Sequence, residues 1–225
     1  MIGLLEKIRK PVINRPFGNK VFHTYLVFMI GVILGLISRI LDFVELEYIN
    51  EIFVYFDLGA FFSRMSIWLL CALTVSVFSK TPLRAIINVF VFFIGMLLSY
   101  YSATYFIEGF VFKKVIIYWL LLTIFSPLPA LLCWYAKGKG KFATFISSVI
   151  LAVFFVMAFS FGFDYFNFRY NGMEAVNWLL AILILWNNPK QSFKVLIYSL
   201  LFATVARVIY VYFFRDFLMW GFMKL

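Results

Sequence analysis

Apolar residues in this chain fall into long runs separated by short polar clusters. Runs at 21–41, 59–79, 83–106, 112–136, 142–162 and 193–214 each predict a helix of about 20 residues. That length crosses a hydrocarbon layer of about 30 Å. A further run at 173–187 holds only about 15 residues before the turn cluster WNNPK. It predicts either a crossing of a thin region or a re-entrant half-helix. The short alternating segments of a membrane barrel are absent. The pattern therefore predicts an all-α fold, a polytopic transmembrane bundle of six or seven spans.

The polar stretches organise the rest. Residues 1–20 form a basic segment, and 21–225 read as one helical membrane domain. Within the first segment, Ile2, Leu4, Leu5 and Ile8 would lie on the bilayer while Lys7, Arg9 and Lys10 face lipid phosphates. A disordered basic tail fits the same residues. Between the first two runs, in the stretch 43–57, Ile49, Ile52, Phe53 and Phe56 follow i, i+3, i+4, i+7 spacing. This predicts an amphipathic surface helix, either closing the bundle or acting as a lid.

Charge then sets orientation. Lys7, Arg9, Lys10, Arg15 and Lys20 precede the first run, Lys80 and Arg84 follow the second, and Lys137, Lys139 and Lys141 follow the fourth. The loop after the first run carries Asp42, Glu45, Glu47, Glu51 and Asp57. Lys and Arg collect on the cytoplasmic side of membrane proteins, so the N-terminus is expected inside the cell and the acidic loop outside. Lys190, Lys194, Arg215 and Lys224 leave the side of the C-terminus open.

Composition agrees. The 225 residues are 65% hydrophobic and 13% charged, and the mean hydropathy is +1.00. The net charge of +10 sits at run ends, where it meets anionic headgroups, and it gives no reason to expect nucleic acid. Cys71 and Cys133 lie apart inside runs, and His23 is the single histidine. No disulfide framework or metal site is expected, and no cofactor. Motifs for hydrolases, zinc proteases and P-loop enzymes are missing, which argues against an enzyme.

Arginines inside the apolar runs carry the functional question. An intramembrane charge costs about 2.5–3.5 kcal/mol even on lenient scales, so it should be paired or hydrated. Small residues four apart share a stripe with each arginine: Gly31 and Gly35 with Arg39, and Ser199 and Ala203 with Arg207. Ala60, Arg64 and Trp68 repeat the spacing. Such stripes let helices approach closely and turn the arginines inward. With seven spans, Arg39, Arg64 and Arg207 share the outer third of the membrane; with six, Arg207 moves away. Two readings follow. One is a structural ion-pair network, such as Arg64 with Asp57 or Arg39 with Asp42. The other is an outward-open cavity for a small solute, an anion among the candidates, with Trp68, Tyr101, Trp119 and Trp178 as walls, Glu174 as a carboxylate and Asn177 as an amide. Pro127 and Pro129 predict a kink in the fourth run. Asn88 and Thr204 are expected to satisfy freed backbone groups or each other.

The small size, the roughly six apolar helices, the basic N-terminus and the Gly31–Gly35 stripe resemble the substrate-binding S-components of energy-coupling-factor transporters. The resemblance implies a vitamin or metal ion bound near the outer face, among the arginines and aromatics. It also implies that the small-residue stripe docks on a shared transport module, with ATP hydrolysed by another chain. Glycines replace that family's alanine-rich signature, and a seventh span departs from it. The segment FSKTPLRAIINVFVFFIGMLLSYY also resembles uncharacterised bacterial multi-pass proteins. The expectation is thus a multi-pass cell-membrane protein that binds or transports a small solute, with membrane or ATPase partner subunits. A scaffold, immunity or regulatory protein is the alternative, and a lipid-acting intramembrane enzyme the third.

Overall fold

The computed structural model describes residues 7–12, 17–43, 55–162 and 164–210. The amphipathic stretch 44–54 and the C-terminal basic residues Arg215 and Lys224 lie outside them. The described chain is all-α apart from one short hairpin. The helices are α1 (Phe17–Phe43), α2 (Leu58–Ser63), α3 (Met65–Phe78), α4 (Pro82–Glu108), α5 (Lys113–Phe125), α6 (Pro127–Ala136), α7 (Lys141–Ala158), α8 (Met173–Leu185) and α9 (Pro189–Ile209). Strands β1 (Phe159–Phe161) and β2 (Phe166–Phe168) pair antiparallel between α7 and α8.

Among the described residues four helices are long and apolar enough to cross a membrane: α1, α4, α7 and α9. The α5–α6 pair would make a fifth, bent by 46°. Pro127 opens α6 just after Ser126, so the bend falls where the prolines predict it. Helices α3 and α8 have 14 and 13 residues. At 1.5 Å per residue each is about 20 Å long, short of a full hydrocarbon layer.

Local chemistry explains the boundaries. Thr81 caps α4 by accepting from Arg84 N, and Asn188 caps α9 by accepting from Gln191 N. Pro82 and Pro189 each follow in the first turn, where a missing N–H costs nothing. The second apolar run does not make one helix. The backbone turns extended at Arg64, which separates α2 from α3. The fifth run also stops early, at Ala158, where alternating phenylalanines turn into the hairpin. Phe159 stacks on Phe166 at 5.0 Å and packs against Phe168 at 5.4 Å.

The widest helix seam joins α1 to α4. A Cβ on Gly31 would stand 2.2 Å from the Phe92 carbonyl oxygen, and one on Gly35 2.5 Å from that of Met96. Backbone touches backbone here, as small-residue stripes allow. The stripe is therefore covered by this chain's own α4, and the surface that the resemblance assigns to a transport module is not open. Ser199 and Ala203 are fully buried in α9, which packs on α7. Trp134, Leu73, Val77, Leu151 and Phe154 form the main core among α3, α6 and α7.

In the segment 7–12 Lys7 and Ile8 are helical and the chain is docked on the bundle, so this part is no free tail; Ile2, Leu4 and Leu5 lie outside the described residues. Ile8 packs on the core, and its carbonyl accepts from Lys139 N. Val12 N donates to the Lys80 carbonyl. Arg9 points inward, donating to the carbonyls of Trp134 (2.7 Å) and Val77 (2.8 Å) and lying 4.5 Å over the Trp134 ring. Asn88 bonds Thr24 and Ser79, while Thr204 bonds back to Leu200, so they do not meet.

Candidate functional site

The helices run back and forth between two unlike ends. All five carboxylates among the described residues, Asp42, Asp57, Glu108, Asp164 and Glu174, lie at one end. At the other end the charged side chains among the described residues are lysines and arginines.

At the carboxylate end the arginines are anchored one by one. Arg39 is buried in α1 and donates to Glu108 at the end of α4, not to Asp42. Arg64, at the break between α2 and α3, donates through Nε to Glu174. Its Nη1 is 3.8 Å from Asp57, and its guanidinium lies 4.1 Å over the Tyr170 ring. Glu174 is 1% exposed and sits in the first turn of α8, where the helix dipole favours a carboxylate. Asn177, one turn along, donates to Ser66 Oγ at 2.8 Å. These two bonds fasten α8 to the start of α3. Asp57 itself holds a left-handed conformation ahead of α2.

Arg207 does not join Arg39 or Arg64. Its Nη2 donates to the Tyr165 hydroxyl (2.7 Å) and its Nε to the Phe161 carbonyl (3.2 Å), so it ties α9 to the hairpin. These contacts put the end of α9 at the carboxylate end. Trp178 packs on Phe155 and Phe159 at 5.6 and 5.5 Å. Three buried atoms of this region lack a hydrogen-bond partner among the described residues: Arg64 Nη2, Glu174 Oε2 and Trp178 Nε1. Buried polar atoms normally find partners, so they could hold a small polar group or water.

A cavity of about 220 Å³ opens beside the Arg39 pair, between α1, α2–α3, α4 and α5. Trp68, Tyr101 and Trp119 line it, three of the four aromatic walls expected; Trp178 does not. Phe62, Tyr100 and Asp42 complete its chemistry. Trp68 is locked by donating to the Phe62 carbonyl (2.8 Å). Asp42 accepts from Tyr100 (2.7 Å) and Ser63 (2.9 Å), and no Lys or Arg among the described residues pairs with it. Its charge is the formal charge on the wall. Neither Tyr100 nor Ser63 stands out in the sequence, whereas Asp42 does as a carboxylate at a run end. Tyr100 adjoins Tyr101 on α4, and that doublet was the available signal. Among the described residues no three His, Cys, Asp or Glu side chains group to hold a metal.

No family model matches the chain, and no curated protein or solved structure is significantly similar to it. What the fold defines is a class: an all-α protein with several helices long and apolar enough to span a membrane.

Proposed function

We propose that the chain is a multi-pass protein of the cell membrane that takes a small solute into the aromatic cavity at its carboxylate end, for binding or transport. On this reading seven segments cross or enter the bilayer, the basic end faces the cytoplasm, and the cavity opens outward. The observation that carries the reading is Asp42, held by two hydroxyls and paired with no Lys or Arg among the described residues, on a wall of Trp68, Tyr101 and Trp119. A carboxylate beside ring faces suits a small solute with an ammonium or other donor group and a flat apolar body. An anion is the poorer fit, because Arg39 and Arg64 already face carboxylates. Energy from an ATP-hydrolysing partner remains part of the proposal, and that partner would dock away from the covered Gly31–Gly35 stripe.

The test is native mass spectrometry of tagged protein purified gently from its own host. The expected result is a retained amine-bearing molecule that Asp42→Asn and Trp119→Ala each release while helicity stays unchanged. An amine that stays bound in both variants would place the solute elsewhere. If neither the preparation nor a screen of small amines by thermal shift shows a ligand, the reading fails. The alternative, a scaffold, immunity or regulatory protein, is favoured by one observation: each of the three intramembrane arginines fastens two elements together.

A further inference from the structure

A second cavity, of about 640 Å³, lies at the basic end between α7 and α9. Lys141, Lys190 and Lys194 line it, and no carboxylate does. All three lysines are exposed, and none pairs with an acid among the described residues. On α9, Lys190, Lys194, Tyr198 and Phe202 stand four apart and so share one stripe. On α7, Lys141 and Phe145 do the same, and the rings of Phe145 and Phe202 meet at 5.6 Å. Tyr198 and Phe145 are both exposed, so the groove opens sideways from two helices of membrane-spanning length.

The order along the groove matters. Moving inward from the end come ammonium groups, then a phenol, then apolar rings, over about 18 Å from Lys190 to Phe202 at 1.5 Å per residue. A phospholipid presents the matching order: phosphate, glycerol esters, acyl chains. The α7 N-terminus opens at the same place, its first turn uncapped by any side chain. Its free N–H groups add positive potential to that of the lysines. A zwitterionic headgroup would bring its own cation against three lysines, whereas a net-negative one would not. We infer that the α7–α9 groove is a binding site for an anionic phospholipid, with the phosphate among Lys141, Lys190 and Lys194 and an acyl chain along Tyr198, Phe145 and Phe202.

The probe is phosphatidylglycerol against phosphatidylcholine, added to the full chain in detergent and read by native mass spectrometry. Wild type should retain phosphatidylglycerol in preference. Lys190→Gln/Lys194→Gln should cut that preference about tenfold or more, given roughly 1 kcal/mol per lysine at a membrane surface. Lys113→Gln/Lys114→Gln, at the opposite end, should leave it intact, and circular dichroism should show both variants folded. Equal retention of the two lipids by wild type overturns the site. So does an equal loss in the Lys113/Lys114 variant, which would mean a general charge effect. If inorganic phosphate alone displaces the signal and Phe202→Ala has no effect, the groove is an anion site and the lipid assignment fails.

Discussion

The two ends of this bundle solve one electrostatic problem in different ways. At the carboxylate end, charges answer charges: Arg39 with Glu108, and Arg64 with Glu174 and Asp57. At the basic end no carboxylate lies among the described residues, and two cations answer helix ends instead. Arg9 donates to carbonyls in the last turns of α3 and α6. Lys137 donates to the carbonyls of Ile184, at 2.6 Å, and of Trp186 as α8 ends. The last four carbonyls of a helix lack intrahelical partners and carry the negative end of its dipole. A cation there satisfies both needs without a counter-ion. An ion pair needs two side chains to agree; a cation on a helix end needs one. The first arrangement should therefore be more fragile to single changes, and rescuable by double ones.

The largest effect should come from Glu174→Ala. It leaves Arg64 with only Asp57 at 3.8 Å, in a site where the removed carboxylate was almost wholly buried. Breaking a buried pair from one side typically costs about 3–5 kcal/mol. Reversible unfolding in mixed micelles should show a loss of that order. Arg64→Met with Glu174→Leu should recover part of it, because neither charge is then stranded. A double variant no more stable than either single would mean that the pair is not the unit of stability.

Arg9→Ala should come next. It removes two charge-assisted bonds and a ring contact. Hydrogen bonds to charged groups contribute about 1.5–3 kcal/mol each, and partial solvation reduces the sum to about 2–3. Here no second substitution should rescue, since the acceptors are main-chain carbonyls. Rescue by changing any acidic residue would break the proposed contrast between the ends.

This contrast also separates what the sequence makes legible from what it hides. Long apolar runs announce α1, α4, α7 and α9, and Pro127 announces the bend between α5 and α6. The glycine stripe on α1 correctly marks a close contact, but composition cannot say that its occupant is α4 of the same chain. Trp68, Tyr101 and Trp119 do share one cavity, but in a chain that is 22% aromatic the sequence alone does not single them out. Arginine partners were not legible, since Glu108 and Glu174 are 69 and 110 residues from Arg39 and Arg64. The break at Arg64 leaves no glycine or proline as a trace. The hairpin did leave one, in the alternating Phe159, Phe161, Phe166 and Phe168, but it read as the tail of an apolar helix. Cations on helix ends are the hardest to see, because their partners are carbonyls that every residue has.

The smallest effect concerns Lys137, and pH isolates it. Burial lowers its pKa from the usual 10.5, and the nearby charge of Arg9 lowers it further. The folded state thus releases this proton more readily than the unfolded chain does. Between the lowered folded value and 10.5 the unfolded state binds more protons, so Lys137 makes stability rise with pH in that window. Below the window the ammonium is charged in both states and carries its full desolvation penalty, offset by the two α8 carbonyls. Lys137→Met should remove this rising contribution and lose the carbonyl bonds, for a net change of about 1 kcal/mol or less at neutral pH. Other groups titrate in the same range, so the informative quantity is the difference between wild-type and variant unfolding curves from pH 7 upward. A wild-type advantage that grows with pH supports an ammonium whose burial outweighs what the two α8 carbonyls return. A flat difference would mean that Lys137 is solvated and that α8 ends without it, whereas a shrinking one would mean that the α8 carbonyls hold the ammonium strongly enough to outweigh its burial.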